Sequence, residues 1–195
     1  LLVVDASGKV LTGSGRAFSE LGLHLAYLQA RTDQAAVIHA HPPTATGLAV
    51  AGVALDRPFL PEAVVSLGPV IPTVPLTLPG GDAVQAVAPY LDEHDALLIA
   101  GNGVLTCGAD LDQAYLRLEL VEHLARIALV AHQFGGLQPL PQPFLPSLLA
   151  ARTRAGLGPE ARGTGAAPPT GGIPSSPGDL ERLVRDEIQR VLKSS

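Results

Sequence analysis

The chain has 195 residues, of which 47% are hydrophobic and 16% charged, a length that fits one domain with a buried core. Its net charge of −5 argues against a nucleic-acid binder that neutralises phosphates. The single cysteine, Cys107, excludes an internal disulfide framework, and no apolar run reaches the ~18 residues of a membrane span. We therefore expect a cytoplasmic protein that binds neither nucleic acid nor membranes. Because the sequence contains no methionine, we expect it to be a fragment or a processed chain.

Strand and helix patterns alternate along the first 150 residues. Short apolar runs predict strands at 1–5, 10–12, 36–41, 64–67, 70–74, 96–100 and 104–107. Helical spacing of apolar residues predicts helices at 19–32, 43–52, 80–91 and 110–134, with Ser19 as the N-cap of the first helix. Strands that alternate with helices indicate an α/β fold in which helices cover a sheet.

The composition changes near residue 150, and we divide the chain into a domain at 1–150, a linker at 151–178 and a helix at 179–195. Glycine and proline supply 12 of the 23 residues from 156 to 178, too few of which are apolar to offset the entropy of ordering. The last segment carries an apolar stripe at helical spacing: Leu180, Leu183, Val184, Ile188, Val191 and Leu192. We expect this short helix to dock on a partner, with folding back on its own domain or self-association as the alternative.

Two histidines at the end of a predicted strand are the candidate metal ligands. His39 and His41 are two residues apart, so both side chains point to the same face of the strand. Two neutral imidazoles a few ångströms apart suit a zinc-like divalent ion. The alternative is that one histidine fills the core while the other is exposed to solvent.

Other polar residues give weaker signals when each is taken alone. Glu20 opens the first helix and is the candidate acid–base group, although an acidic residue there also complements the helix dipole. His24 lies one turn later, where it either orients Glu20 or fills the helix surface, and the spacing slightly favours the surface role. Asn102 lies between two glycines and is better explained as a turn residue with positive φ than as a ligand. Cys107 is best explained as a buried structural thiol.

Two long segments resemble the class II aldolase/adducin family, which includes fuculose-phosphate and rhamnulose-phosphate aldolases and ribulose-phosphate 4-epimerase. The segments are FSELGLHLAYLQARTDQAAVIHAHPPTATGLAVAG and ALLIAGNGVLTCGADLDQAYLRLELVEHLARI. The similarity runs in order from residue 1 to about residue 135. It implies a three-layer α/β/α domain with a central mixed or antiparallel sheet, and assembly as a homotetramer.

The same resemblance implies roles for individual residues. His39 and His41 match two of the family's three zinc-ligating histidines, and Glu20 matches its catalytic carboxylate. Asn102 stands where the family has the third histidine, and because an amide oxygen is a poorer zinc ligand, metal affinity should fall or the metal should differ. Of the family's paired serines that contact the substrate phosphate, only Ser19 is present. We also expect the family's front portion, with its phosphate-binding loops, to be missing from this chain.

The activity implied by the resemblance is a metal-dependent retro-aldol reaction. A ketose 1-phosphate of the fuculose or rhamnulose type would yield dihydroxyacetone phosphate and an aldehyde, with Glu20 moving the proton. The alternatives are a same-fold epimerase or decarboxylase, and a catalytically impaired adducin-like or scaffold protein. The linker and terminal helix resemble the encapsulation peptides of bacterial microcompartments. This second resemblance implies a location in the compartment lumen, with the shell or a co-packaged enzyme as partner.

Overall fold

The computed structural model of the chain describes residues 1–78 and 80–162. The strands are β1 (Val3–Val4), β2 (Val10–Thr12), β3 (Ala36–Ala40), β4 (Thr73–Val74), β5 (Ala96–Ile99) and β6 (Gly103–Gly108). The helices are α1 (Leu21–Ala30), α2 (Pro43–Ala51), α3 (Pro61–Ser66), α4 (Gly81–Val87), α5 (Leu111–Gln133), α6 (Leu145–Arg154) and α7 (Pro159–Arg162). Short 3₁₀ helices lie at Ala88–Tyr90 and Gln142–Phe144. The docking helix predicted at 179–195 and the linker from 163 onward lie outside the described residues.

The central sheet has four strands in the order β3-β6-β5-β4. β6 pairs antiparallel with both β3 and β5, whereas β4 pairs parallel with β5, so the sheet is mixed. β1 and β2 form a separate antiparallel hairpin. The predicted α/β fold with a central mixed sheet is confirmed.

Helices cover both faces of this sheet. Neighbouring residues of a strand point to opposite faces, so they pack against different helices. Leu97 and Leu105 belong to the core cluster formed with α1 and α4. Leu98 and Val104 belong to the cluster formed with α2 and α5. Both faces are therefore buried, which explains why β5 has a continuous apolar sequence. In the described part of the chain, no helix combines the length and the apolar character that crossing a membrane requires.

The predicted strand at 64–67 is wrong, because these residues lie in and directly after the helix α3. Val64 and Val65 are β-branched, a composition that favours strands. Pro61 occupies the first turn of α3, a position where proline favours helix. Both valines are fully buried against Leu148 and other residues of α6, so tertiary packing outweighs their strand propensity.

The helices α6 and α7 extend the folded domain beyond the boundary expected at residue 150. That boundary falls inside α6, and a second short helix, α7, follows and ends at Arg162. Arg152 is only 3% exposed and donates from Nη2 to Asp95 Oδ2 at 2.8 Å. The prediction missed this extension because a buried arginine does not show as a core residue in an apolar pattern.

Asp95 is the centre of a buried ionic cluster, the Asp95 cluster, that also contains Arg31, Arg117 and Arg152. Its carboxylate lies 3.0 Å from Arg31 Nη2, 3.1 Å from Arg117 Nη2 and 2.8 Å from Arg152 Nη2. Burial alone raises the pKa of Asp95, but the three arginines outweigh burial and hold this pKa below its ordinary value. Cys107 is buried beside the cluster, as expected of a structural thiol, and burial raises its pKa to about 12.

Candidate active site

The start of α1 and the end of β3 bring the predicted site residues to one end of the sheet. Glu20 directly precedes α1, and His39 lies on β3 opposite Leu105. Leu105 packs in the cluster with α1, so the α1-facing side of the sheet also carries His39. His41 follows β3 directly and points to the same side as His39.

The two histidines contact each other, as the spacing predicts. The Nε2 atoms of His39 and His41 are 3.3 Å apart, and the rings meet edge to face with centroids 5.1 Å apart. His39 Nδ1 lies 3.1 Å from the carbonyl oxygen of Val104, which can only accept, so Nδ1 carries the proton and Nε2 is left with a lone pair. Burial and the neighbouring His41 lower the pKa of His39, which favours its neutral, ligating form.

This pair meets the geometric requirement for two ligands of one metal ion. Two nitrogens bound to a tetrahedral zinc ion at about 2.0–2.1 Å would be about 3.4 Å apart. The observed separation of 3.3 Å agrees with that value. Within residues 1–78 and 80–162, no group of three or more His, Cys, Asp or Glu side chains is placed to hold a metal ion. The geometry of the pair is therefore compatible with two ligands of one ion, and the described residues place no further His, Cys, Asp or Glu side chain with them to complete such a group.

Glu20 is held in its ionised form by its neighbour Ser19. Ser19 Oγ donates to Glu20 Oε2 at 2.5 Å, and this hydrogen bond lowers the pKa of Glu20. His39 and His41 are close enough to lower the same pKa further. Ser19 is not the N-cap as predicted, because α1 begins at Leu21 and the cap position is Glu20. The Ser19 hydroxyl is engaged by the Glu20 carboxylate instead of the helix backbone.

Asn102 lies in the tight turn between β5 and β6, but it does not have the positive φ that its glycine neighbours suggest. The positive φ angles belong to Gly101 (67°) and Gly103 (85°), so Asn102 is the turn residue that the sequence predicts but does not itself adopt positive φ. The Asn102 N–H donates to the carbonyl of Ile99 at 2.9 Å. A Cβ atom at Gly103 would lie 2.6 Å from Cδ2 of His41, so the turn packs directly against the histidine pair. The turn places the Asn102 side chain in the wall of a cleft.

That cleft connects three of the predicted residues. It is lined in part by Ser19, Glu20 and Asn102. Thr77 adds a further hydroxyl group, while apolar side chains such as Ile99 form other parts of the wall. Among the described residues, those that line the cleft do not include His39 or His41.

Glu122 on α5 is a supporting residue that the sequence analysis missed. Its carboxylate accepts hydrogen bonds from the backbone N–H groups of Thr44 at 3.1 Å and Ala45 at 2.9 Å. It thereby caps α2, whose own cap position is Pro42 and offers no side-chain bond. Burial raises the pKa of Glu122, but these bonds and Arg126 outweigh burial and lower it. The only sequence signal was a helix start without a polar cap directly after the histidine pair.

His24 does not simply fill the helix surface, as the spacing slightly favours. Its ring packs edge to face on Phe18, with centroids 5.0 Å apart. Its Nε2 atom is buried and has no hydrogen-bond partner among the described residues. Burial and the nearby His39 lower the pKa of His24, while Glu20 acts in the opposite direction.

Comparison with known proteins shows the family to which the chain belongs. The family described as Class II Aldolase and Adducin N-terminal domain matches residues 1–129, more than half of the chain. The chain therefore belongs to this family, as the resemblance of its sequence indicates.

Individual relatives within the family differ in the reactions for which they are named. A 3,4-dihydroxyphthalate decarboxylase from Terrabacter sp. is 33% identical over 127 residues, which are 62% of this chain and 52% of that protein. An L-fuculose phosphate aldolase from Methanococcus vannielii is 28% identical over 137 residues, 69% of this chain and 71% of that protein. The solved structure of an L-fuculose 1-phosphate aldolase matches with a TM-score of 0.70 and 28% identity, covering 76% of this chain and 70% of that one. The chain thus spans about half the length of the decarboxylase and about seven tenths of the aldolases.

Proposed function

We propose that this chain carries the catalytic core of a metal-dependent aldolase that cleaves a ketose 1-phosphate of the fuculose or rhamnulose type. The products would be dihydroxyacetone phosphate and an aldehyde. The observation that carries the proposal is an ionised carboxylate, Glu20, beside the contacting pair His39 and His41. The similarity to fuculose phosphate aldolases in sequence and in structure supports the same reaction.

His39 and His41 would hold a divalent metal ion, zinc in our proposal, through their Nε2 atoms. When bound, such an ion polarises the substrate carbonyl as a Lewis acid. Asn102 would occupy the third ligand position through its amide oxygen, because it lies in the turn that packs on His41. The hydrogen bond from His39 Nδ1 to Val104 fixes the ring orientation that ligation needs.

Glu20 would carry the proton of the reaction. Cleavage between C3 and C4 of the ketose converts the C4 hydroxyl into the aldehyde and releases the hydroxyl proton to water. The electron pair of the broken bond stays on C3, to which a proton must be delivered. Ionised Glu20 removes this proton in the synthetic direction, and the protonated group returns it in the cleavage direction. The Ser19 hydroxyl keeps the carboxylate ionised and, since Ser19 lines the same cleft, its backbone N–H would contact the substrate phosphate.

A decarboxylase is the second candidate, and the 33% identity to the Terrabacter enzyme favours it. Loss of carbon dioxide also leaves an electron pair on carbon, so the same Glu20 could protonate the product. The two reactions differ in the bond that breaks. The residues that line the cleft are compatible with either reaction.

One experiment separates these candidates. Purified protein supplied with zinc is incubated with fuculose and rhamnulose 1-phosphates, and separately with 3,4-dihydroxyphthalate. We expect aldehyde release from a sugar phosphate, lost in Glu20→Gln and retained in Glu119→Gln, an exposed glutamate on α5. Release of carbon dioxide alone would favour the decarboxylase, and no product from any substrate would contradict both.

We further propose that the chain works as a homo-oligomer, a tetramer by its resemblance to the family. The C-terminal part of α5 supports association, because Leu129, Val130 and Phe134 are 47%, 52% and 85% exposed. Light scattering after size exclusion should give four times the chain mass. A monomer at micromolar concentration would contradict this part of the proposal.

We also propose that segment 179–195 attaches the protein to a microcompartment shell or to a co-packaged enzyme. The apolar stripe from Leu180 to Leu192 in the sequence supports this proposal. A fluorescent protein fused to residues 179–195 should co-localise with compartment shells. Diffuse fluorescence, equal to that of a fusion with charged residues replacing Leu183 and Ile188, would contradict it.

A further inference from the structure

His24 presents a buried polar atom that the proposed chemistry does not yet use. Its Nε2 lies away from solvent with no hydrogen-bond partner in the described part of the chain. Buried polar atoms without partners are uncommon in folded proteins, because the lost hydrogen bonds to water are not replaced. Such an atom therefore points to a partner that is engaged in another state of the site.

Glu20 is a neighbouring side chain whose carboxylate can supply that partner. His24 lies four residues after Glu20, a spacing at which side chains on a helix are neighbours. Ser19 donates to Oε2 of Glu20, so Oε1 is the oxygen that can accept a second hydrogen bond. Both Glu20, the proposed base, and His39, the proposed metal ligand, act electrostatically on the pKa of His24, which agrees with the helical spacing.

We propose that His24 is a positioning residue that donates from Nε2 to the Glu20 carboxylate and holds it in the orientation needed for proton transfer. This inference rests on the proposed role of Glu20 as the acid–base group. The two side chains on either side of the carboxylate, Ser19 and His24, would then each satisfy one oxygen. Phe18 would in turn hold the orientation of the His24 imidazole, because its ring packs against the imidazole edge to face.

Metal ligation is a poorer explanation of the same atom. The contacting Nε2 atoms of the metal site are those of His39 and His41. A positioning role and a ligating role predict different metal contents, which the test below measures.

The first test needs no substrate, so it remains decisive even if the proposed reaction is wrong. Long-range ¹H–¹⁵N spectra of the zinc-supplied full chain show which nitrogen of His24 carries the proton, with His24→Gln used for assignment. We expect a proton on Nε2 whose resonance shifts in Glu20→Gln, while the resonances of His132, on the C-terminal turn of α5, stay unchanged. An unprotonated Nε2, or a His24 resonance that does not respond to Glu20→Gln, would overturn the proposal.

The second test is a double-mutant cycle on turnover with whichever substrate the protein cleaves. We expect His24→Leu to lower kcat about 10–100-fold, as loss of an orienting partner typically does, with KM and metal content unchanged. His24→Gln, which keeps an N–H donor, should recover part of this loss. In the Glu20→Gln background, His24→Leu should cause no further loss, because both changes remove the same interaction. An equal loss in both backgrounds, or a loss of metal in His24→Leu, would overturn the proposal.

Discussion

Polar side chains are concentrated at both ends of the central sheet, but the two ends differ in how many of these groups are buried and paired. At the end where β3 and β5 begin, Asp95 is 1% exposed and pairs with three buried arginines. At the end where these strands finish, Glu20 has one side-chain hydrogen bond and faces an open cleft. The Asp95 cluster is saturated with partners, whereas the Glu20 end retains polar groups that can still bind something.

This difference separates stability from chemistry along the same strands. A buried charge needs every partner it has, so the Asp95 cluster leaves no group available for a ligand. The site of a reaction needs groups whose hydrogen bonds and lone pairs are free to engage substrate. His39 illustrates this requirement, because one ring nitrogen is bonded to Val104 while the other is left with a lone pair.

The largest effect should come from breaking the Asp95 cluster. Asp95→Asn removes the one negative charge that, among the described residues, pairs with Arg31, Arg117 and Arg152 together. Loss of one partner of a buried ion pair costs about 3–5 kcal/mol. Denaturant unfolding should show this loss in the free energy of unfolding. The matched control is Asp92→Asn, an exposed neighbour that should change stability by no more than about 0.5 kcal/mol. Similar small changes in both variants would remove the distinction between the two ends.

A gain in zinc affinity should come from a change at the Glu20 end of the sheet. Asn102→His replaces an amide with an imidazole beside His41, and imidazole is the better zinc ligand, so zinc affinity should rise at least about tenfold. Calorimetric titration with zinc measures this change. Gln133→His, which adds an imidazole at the end of α5, should leave zinc affinity as it is. Unchanged affinity in Asn102→His would show that this turn does not face the metal.

The smallest effect should be the acid sensitivity of Asp33, at the edge of the Asp95 cluster. Its hydrogen bonds to Arg31 hold its pKa below the ordinary value of about 3.9. Asp33 therefore adds stability that is fully present above about pH 4 and is lost as the pH falls through its lowered pKa. Because Asp33 is 37% exposed, the contribution should be below about 1 kcal/mol.

Unfolding curves between pH 6 and pH 2 test this expectation. The free energy of unfolding of Asp33→Asn should fall less steeply below about pH 4 than that of the parent protein. Asp112→Asn, an exposed residue in the first turn of α5, serves as the control. Parallel pH curves for Asp33→Asn and the parent protein would show that Arg31 does not stabilise the ionised form.

Local spacing was sufficient to predict the features that depend on one element. The two-residue spacing predicted the contact of His39 with His41, and alternating strands and helices predicted the layered α/β fold. The strand at 64–67 failed because packing of Val64 and Val65 on α6 outweighs local propensity.

Features that join distant segments could not be predicted in the same way. Glu122 caps a helix that begins nearly eighty residues earlier in the chain. Arg31 precedes Asp95 by 64 residues and Arg152 follows it by 57 residues. In the sequence of its own segment, each arginine has the character of a surface residue. Long-range polar pairs of this kind leave no period in the sequence, since only the folded sheet brings their members together.

The central claim is that Glu20 acts in a reaction without supporting the fold. Turnover of Glu20→Gln, compared with the parent protein at equal metal content, tests it most directly. We predict a fall in kcat of about 10²–10⁴-fold, with the free energy of unfolding unchanged to within about 0.5 kcal/mol. Turnover equal to that of the parent protein would contradict the account.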